Sequence, residues 1–102
     1  MPLNSIEYTQ TALDELDELI GHIYEDSPKR ASLYFYRLTK AINNLSASPL
    51  IGVICSKKKI QADCRILIVD NYLVFYYYVP QNQLVKILHI VYGNIEYQRL
   101  FD

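Results

Sequence analysis

The chain changes texture once, at Cys64, and that single change limits what it can fold into. Before it, apolar residues recur at three- and four-residue spacing. After it, β-branched and aromatic residues run together between short turn-rich pieces. The two textures are those of helices and of strands, and helices followed by strands, rather than alternating with them, predict an α+β domain. A length of 102 residues suits one hydrophobic core, so residues 1–102 are expected to form a single domain. No internal repeat, low-complexity tract or linker divides it.

The helical half has two start signals. Leu3 to Tyr8 alternates weakly and reads as a short first strand, after which Thr11-Ala12-Leu13-Asp14 reads as an N-cap with an acidic first turn. Leu13, Leu16, Ile20, Ile23 and Tyr24 then form one stripe, with most of the acids outside it. Ser27-Pro28 is the sharper signal, a capping serine before a proline at the first helical position, where its missing N–H costs nothing. The second stripe, Ala31, Phe35, Leu38, Ile42 and Leu45, stops at Ser48-Pro49 with Gly52 beyond. An antiparallel helical hairpin follows from these two stripes.

Three strand-like runs follow: Arg65–Val69, Tyr72–Val79 and Leu84–Val91. Asp70-Asn71 and Pro80-Gln81-Asn82-Gln83 are short turn pieces, so the expected connection is an antiparallel meander. The stretch Ile51 to Asp63, between helix and sheet, is expected to be the least ordered. Leu73, Phe75, Tyr77 and Val79 alternate with Tyr72, Val74, Tyr76 and Tyr78, which leaves both faces of the strand apolar or aromatic. One helical hairpin covers only one face. Either the C-terminal tail or a partner polypeptide is expected over the other, with the partner preferred, and Tyr72, Tyr76 and Tyr78 become candidate partner-binding residues. Dense packing with hydroxyls at the rim is the structural alternative.

Composition excludes several classes. Hydrophobic residues make up 51% of the chain and charged residues 21%, which is globular rather than disordered. No apolar run approaches the roughly 18 residues of a membrane helix, and Met1-Pro2-Leu3-Asn4-Ser5 lacks the basic and apolar segments of a signal peptide. A cytoplasmic protein with no membrane contact is expected. Cys55 and Cys64 match no zinc spacing and, in a reducing compartment, are expected to be two ordinary thiols. Neither a metal nor a cofactor is implied, because no His, Cys and carboxylate cluster has ligand spacing. The net charge of −1 hides a division: residues 1–26 hold seven acidic side chains and no Lys or Arg, and the remainder holds ten basic against four acidic. A basic face toward a polyanion, with an acidic face turned away, is one consequence; a solvated helix face is the other.

Several segments in this order resemble the RelE/ParE superfamily of toxins from bacterial type II toxin–antitoxin modules. They are Tyr8-Thr9-Gln10-Thr11-Ala12-Leu13-Asp14-Glu15-Leu16, the Ser27-Pro28 start, Leu45 through Pro49 to Gly52, Arg65-Ile66-Leu67-Ile68-Val69, Tyr72-Leu73-Val74-Phe75-Tyr76 and Ile87-Leu88-His89. The resemblance covers nearly the whole chain and implies a helical hairpin packed on a small antiparallel sheet. It also implies a toxin neutralised by a cognate antitoxin, which touches operator DNA only through that antitoxin.

The superfamily holds two mechanisms, ribosome-dependent mRNA cleavage and ParE-like poisoning of DNA gyrase, and fold alone does not choose between them. Cleavage needs a group to activate a 2′-hydroxyl, cations to hold the phosphate and an acid for the leaving oxygen. Arg65, His89, Tyr92 and Tyr97 are the catalytic candidates if the chain is a nuclease. Lys57, Lys58, Lys59, Arg65 and Arg99 are the candidates for target contact. Each has a bland counterpart: Arg65 paired with Asp63 or Asp70, the lysines solvated, His89 a hydrogen-bonded strand residue, His22 structural, the tyrosines packing. The nuclease branch carries arginines after its last strand, where this chain has Gly93-Asn94-Ile95-Glu96, and a tyrosine near its end, where alignment on Gly93 places Phe101. Leu45 to Gly52 and Ile87-Leu88-His89 resemble the ParE side more closely. A gyrase poison is therefore expected, with a RelE-like mRNA endoribonuclease and an inactive, antitoxin-binding homologue as the alternatives.

Overall fold

The computed structural model describes residues 3–58 and 63–93, without the side chains of Lys57 and Lys58. Strand β1 (Ser5–Tyr8) leads into helix α1 (Gln10–Asp26) and helix α2 (Pro28–Asn43), followed by a 3₁₀ turn, Asn44–Ser46. The short strand β2 (Val53–Ile54) and a second 3₁₀ turn (Cys55–Lys58) precede β3 (Arg65–Val69), β4 (Tyr72–Val79) and β5 (Leu84–Tyr92). The strands form one five-stranded sheet in the order β1-β5-β4-β3-β2. The expected meander of β3, β4 and β5 is present, and β2 extends it antiparallel. The sheet is mixed rather than wholly antiparallel, because β1 lies parallel to β5, from Ser5 opposite Leu84 to Tyr8 opposite Ile87. A parallel neighbour needs a long crossover, which here is the helical hairpin and everything after it up to β5.

The hairpin joint is the one expected. Ser27 accepts the Arg30 amide on its hydroxyl at 3.2 Å while its own N–H closes α1 on the Ile23 carbonyl at 2.8 Å. One residue therefore caps one helix and ends the other. The start of α1 is corrected from Thr11 to Thr9. The Thr9 hydroxyl oxygen accepts the Ala12 amide at 3.1 Å, and its proton and the Thr9 N–H both reach the Ile87 carbonyl, at 2.9 and 3.0 Å. Both threonines suit a cap; only Thr9 also docks the helix start onto β5.

The helices bury a narrower face than their stripes suggested. Ala12 and Leu16 of α1, and Ala31, Leu38 and Ile42 of α2, are buried, whereas Leu13 and Phe35 are each 43% exposed and Tyr24 60%. Ala12 brings α1 close to the sheet, and that orientation turns Leu13 and Tyr24 outward, where they line a groove with Phe35 between the helices. The main core joins those helix residues and Leu45 to Val74, Tyr76, Val85, Ile87 and Ile90.

The opposite face of the sheet carries a second, smaller core of Cys55, Cys64, Ile66, Phe75 and Val91. One sequence expectation is corrected there. Cys55 and Cys64 form a disulfide, with Cα atoms 5.3 Å apart, and are not free thiols. Cys55 and Cys64, at the two ends of the loop that the disulfide closes, cover part of this face. The 51–63 stretch accordingly holds a strand and a crosslink among its described residues.

Candidate functional site

Three constellations of polar side chains stand on this frame. The first is at the β2–β3 end. The Nη1 of Arg65 donates to the carbonyls of Leu50 at 3.1 Å and Gly52 at 2.9 Å, whereas Asp70, one of its expected partners, pairs with Arg37 at 3.4 Å. Nε and Nη2 of Arg65 make no hydrogen bond among the described residues. Tyr76 backs this arrangement: its hydroxyl donates to the Pro49 carbonyl at 2.8 Å and accepts the Gly52 amide at 2.9 Å. Gly52 is required by that close approach, since a Cβ would stand 2.6 Å from the Tyr76 hydroxyl oxygen. Burial pushes the Tyr76 phenol up, against smaller opposing effects of the Gly52 hydrogen bond and Arg65. An open cleft of about 320 Å³ lies here, with Leu50, Ile54, Asp63, Arg65, Tyr77 and Tyr78 among its lining residues.

The second constellation is on β5. Its register slips opposite Phe75 and Tyr76, so that Phe75 faces His89 while Tyr76 faces Ile87. Leu88 is thus the extra residue of a β-bulge. Glu15 of α1 fits the irregularity: Oε1 accepts the Ile90 amide at 3.1 Å and meets His89 Nδ1 at 3.1 Å. A carboxylate at that distance is an acceptor for a proton on Nδ1. His89 is thereby a hydrogen-bonded strand residue whose partner, Glu15, the sequence did not single out. A period-3.6 reading counts Glu15 as a solvated acid, and only the bulge explains why it turns inward.

The third is a groove of about 490 Å³ between α1 and the far end of β4 and β5, lined by Glu15, Glu18, His22, Tyr72 and Tyr92 over Leu19 and Ile90. Tyr72 stands edge-on to Tyr34 at 5.8 Å and to Tyr92 at 5.6 Å. The guanidinium groups of Arg30 and Arg37 lie 6.0 Å from the Tyr34 ring. Desolvation first, then the neighbouring tyrosines, raises the Tyr72 phenol. Of the three expected partner-binding tyrosines, Tyr72 faces this groove and Tyr78 the Arg65 cleft. Tyr76 is fully buried and presents no surface to a partner.

The expected catalytic residues are not brought together. Arg65 is level with Tyr76 and Ile87, and Tyr92 is level with Tyr72 and Val69. Four residues along and two strands across put their backbones on the order of 15 Å apart. His89 stands two strands from Arg65, about 10 Å away by the same spacing. Lys59, Tyr97 and Arg99 lie outside the described residues, as do the side chains of Lys57 and Lys58. No group of three His, Cys, Asp or Glu side chains suited to a metal occurs among the described residues.

A two-helix hairpin on one face of a small mixed sheet is a RelE/ParE-like fold. The family model described as the ParE toxin of the type II toxin–antitoxin system parDE matches residues 6–97, and the chain belongs to that family. Among solved structures, the chain is similar to one from the toxin–antitoxin complex RelBE2 of Mycobacterium tuberculosis. The two share 19% identity at a TM-score of 0.60, over 90% of this chain and 99% of that one, a likeness of fold. No curated protein matched the chain. No helix among the described residues is long and apolar enough to cross a membrane.

Proposed function

We propose that this toxin arrests growth by ParE-like poisoning of DNA gyrase, without an enzymatic step of its own, and that a cognate antitoxin neutralises it in the cytoplasm. The supporting observation is the separation of Arg65, His89 and Tyr92. In-line cleavage of RNA needs a base, a phosphate-binding cation and an acid around one phosphate, within about 3 Å of the atoms they serve. Backbones on the order of 10 to 15 Å apart give these side chains no preformed common centre. Arg65, which lines an open cleft beside Tyr78, suits contact with a target surface instead.

The antitoxin seat on this reading is the groove between α1 and the Tyr72–Tyr92 pair. Its wall belongs to the acidic first quarter of the chain, so a basic and apolar antitoxin segment complements it. Operator DNA is reached only through that antitoxin. Loss of co-purification with the antitoxin in a Tyr72→Ala/Tyr92→Ala variant that still arrests growth is the expected result; undiminished co-purification would move the seat elsewhere.

A RelE-like endoribonuclease is the second reading, favoured by the Glu15–His89 pair, whose geometry is that of a carboxylate-oriented general base. Paired cell-free assays separate the two: ribosome-bound mRNA cleavage mapped by primer extension, beside gyrase supercoiling and DNA cleavage. Stabilised gyrase–DNA breaks with intact mRNA are expected, and Arg65→Ala weakens them. Codon-positioned mRNA breaks would overturn the proposal, and silence in both assays from folded protein would favour an inactive homologue whose remaining role is antitoxin binding.

A further inference from the structure

The disulfide has no part in the function proposed so far, yet it crosslinks one wall of the Arg65 cleft. Cys55 follows β2 and Cys64 precedes β3, so the bond adds a rung beyond the Ile54–Arg65 pair, and the Cys55 N–H donates to the Cys64 carbonyl at 2.9 Å. Cys64 lines the cleft beside Arg65, and the bonded pair rests on Ile66 and Phe75 on the other side.

We infer that Cys55–Cys64 is a reversible thiol–disulfide exchange site whose oxidised form fixes the wall of the Arg65 cleft and whose reduced form releases it, so that anion binding in the cleft follows the redox state of the compartment. The inference deepens the target-contact role given to Arg65 and rests on it.

Two observations make the bond a catch rather than a general staple. The chain on the other side of β2 has attachments of its own, since Pro49, Leu50 and Gly52 are held by Tyr76 and Arg65. The main core contains neither cysteine. Reduction therefore leaves the helix-covered face intact and frees a strand of two residues at the edge of the sheet. With Cys55 fully buried and Cys64 4% exposed, exchange passes through local opening of β2 and favours a small thiol over a protein-sized reductant. The thiolate of a small thiol such as glutathione attacks Sγ of Cys64, the less buried of the two residues. The Sγ–Sγ bond breaks, a mixed disulfide forms, and Cys55 departs as a thiolate that takes a proton. A second thiolate then attacks the small-thiol sulfur of the mixed disulfide, releasing Cys64 and carrying both oxidising equivalents away as the oxidised small disulfide. Oxidised glutathione drives the reverse sequence.

The test uses the full chain, air-oxidised or equilibrated with excess dithiothreitol, and reads three things. Mass after thiol alkylation gives the state of the bond, hydrogen exchange follows the Cys55 amide, and fluorescence anisotropy gives affinity for a short single-stranded DNA, a simple polyanion. Reduction is expected to leave the far-UV circular dichroism unchanged, to speed exchange at Cys55, and to weaken DNA binding by on the order of threefold or more, as the cleft loses preorganisation. A Cys55→Ala/Cys64→Ala variant binds at the reduced level in both buffers. Equal affinity in the two states, global unfolding on reduction, or a bond that dithiothreitol does not open in the folded protein would each overturn the inference. Growth arrest is scored separately: absent arrest with redox-dependent binding sinks the toxin mechanism alone, and arrest with redox-independent binding sinks only the catch.

Discussion

The two faces of the sheet are closed by different means. The face under the helices buries residues from both helices and from β4 and β5 in one contiguous core. The other is a cluster half that size, completed by a covalent bond. A face with enough apolar neighbours closes by packing alone, whereas a small face under a short loop gains stability from a constraint on the unfolded chain that offsets part of its ordering entropy. Tyr76 and Arg65 connect the two solutions, since both belong to the sheet and both hold the segment that leads into the crosslinked side.

The sharpest way to break this contrast is Leu38→Ala, at a fully buried position of the helix-covered core. It should cost about 2–5 kcal/mol in urea unfolding, and a loss under about 1 kcal/mol would mean that the main core is not the principal source of stability. Next comes Cys55→Ala/Cys64→Ala. Removing a bond across nine positions should cost about 2–3 kcal/mol and leave a single cooperative transition. A loss as large as that of Leu38→Ala with two transitions would make the small face an independent unit.

Tyr76→Phe, which leaves the Gly52 amide and the Pro49 carbonyl without their hydroxyl partner, should cost about 1–3 kcal/mol at neutral pH. The same residue sets a pH limit. Its phenol, like those of Tyr8 and Tyr72, is raised in the folded state by burial. The unfolded chain loses these protons first, near the ordinary tyrosine value of about 10, so the stabilisation is complete below that pH and is lost as pH rises toward the folded values. Alkaline unfolding followed by circular dichroism should begin near pH 10 and be shallower in Tyr76→Phe; an identical slope would remove Tyr76 from the titration. The smallest effect belongs to Arg37→Ala. Its pair with Asp70 is largely exposed, and the change should stay within about 0.5 kcal/mol.

Periodicity made the helical hairpin, its Ser27 joint and the three long strands legible, because each depends on a local pattern of apolar spacing and on capping chemistry. The Arg65 position was legible too, but its partners were not. A guanidinium at the start of a strand suggests a nearby acid, and the carbonyls of Leu50 and Gly52 become its acceptors only because Tyr76 draws that segment over the sheet. The pairing of the cysteines was not legible, because nothing in the local sequence shows that Cys55 and Cys64 lie across a strand pair with Cα atoms 5.3 Å apart. Glu15 carried none, because nothing in the local sequence announces the bulge at Leu88 that turns its carboxylate toward the Ile90 amide.

What the sequence determined by itself is the set of elements and their order, since these follow from interactions among residues a few positions apart. Tertiary structure decided the parallel docking of β1, which face of α1 turns inward, the pairing of Cys55 with Cys64 and the separation of Arg65, His89 and Tyr92. Those depend on contacts between residues far apart in the chain, where sheet register and the volume available in a shared core select among partners that local sequence leaves equivalent.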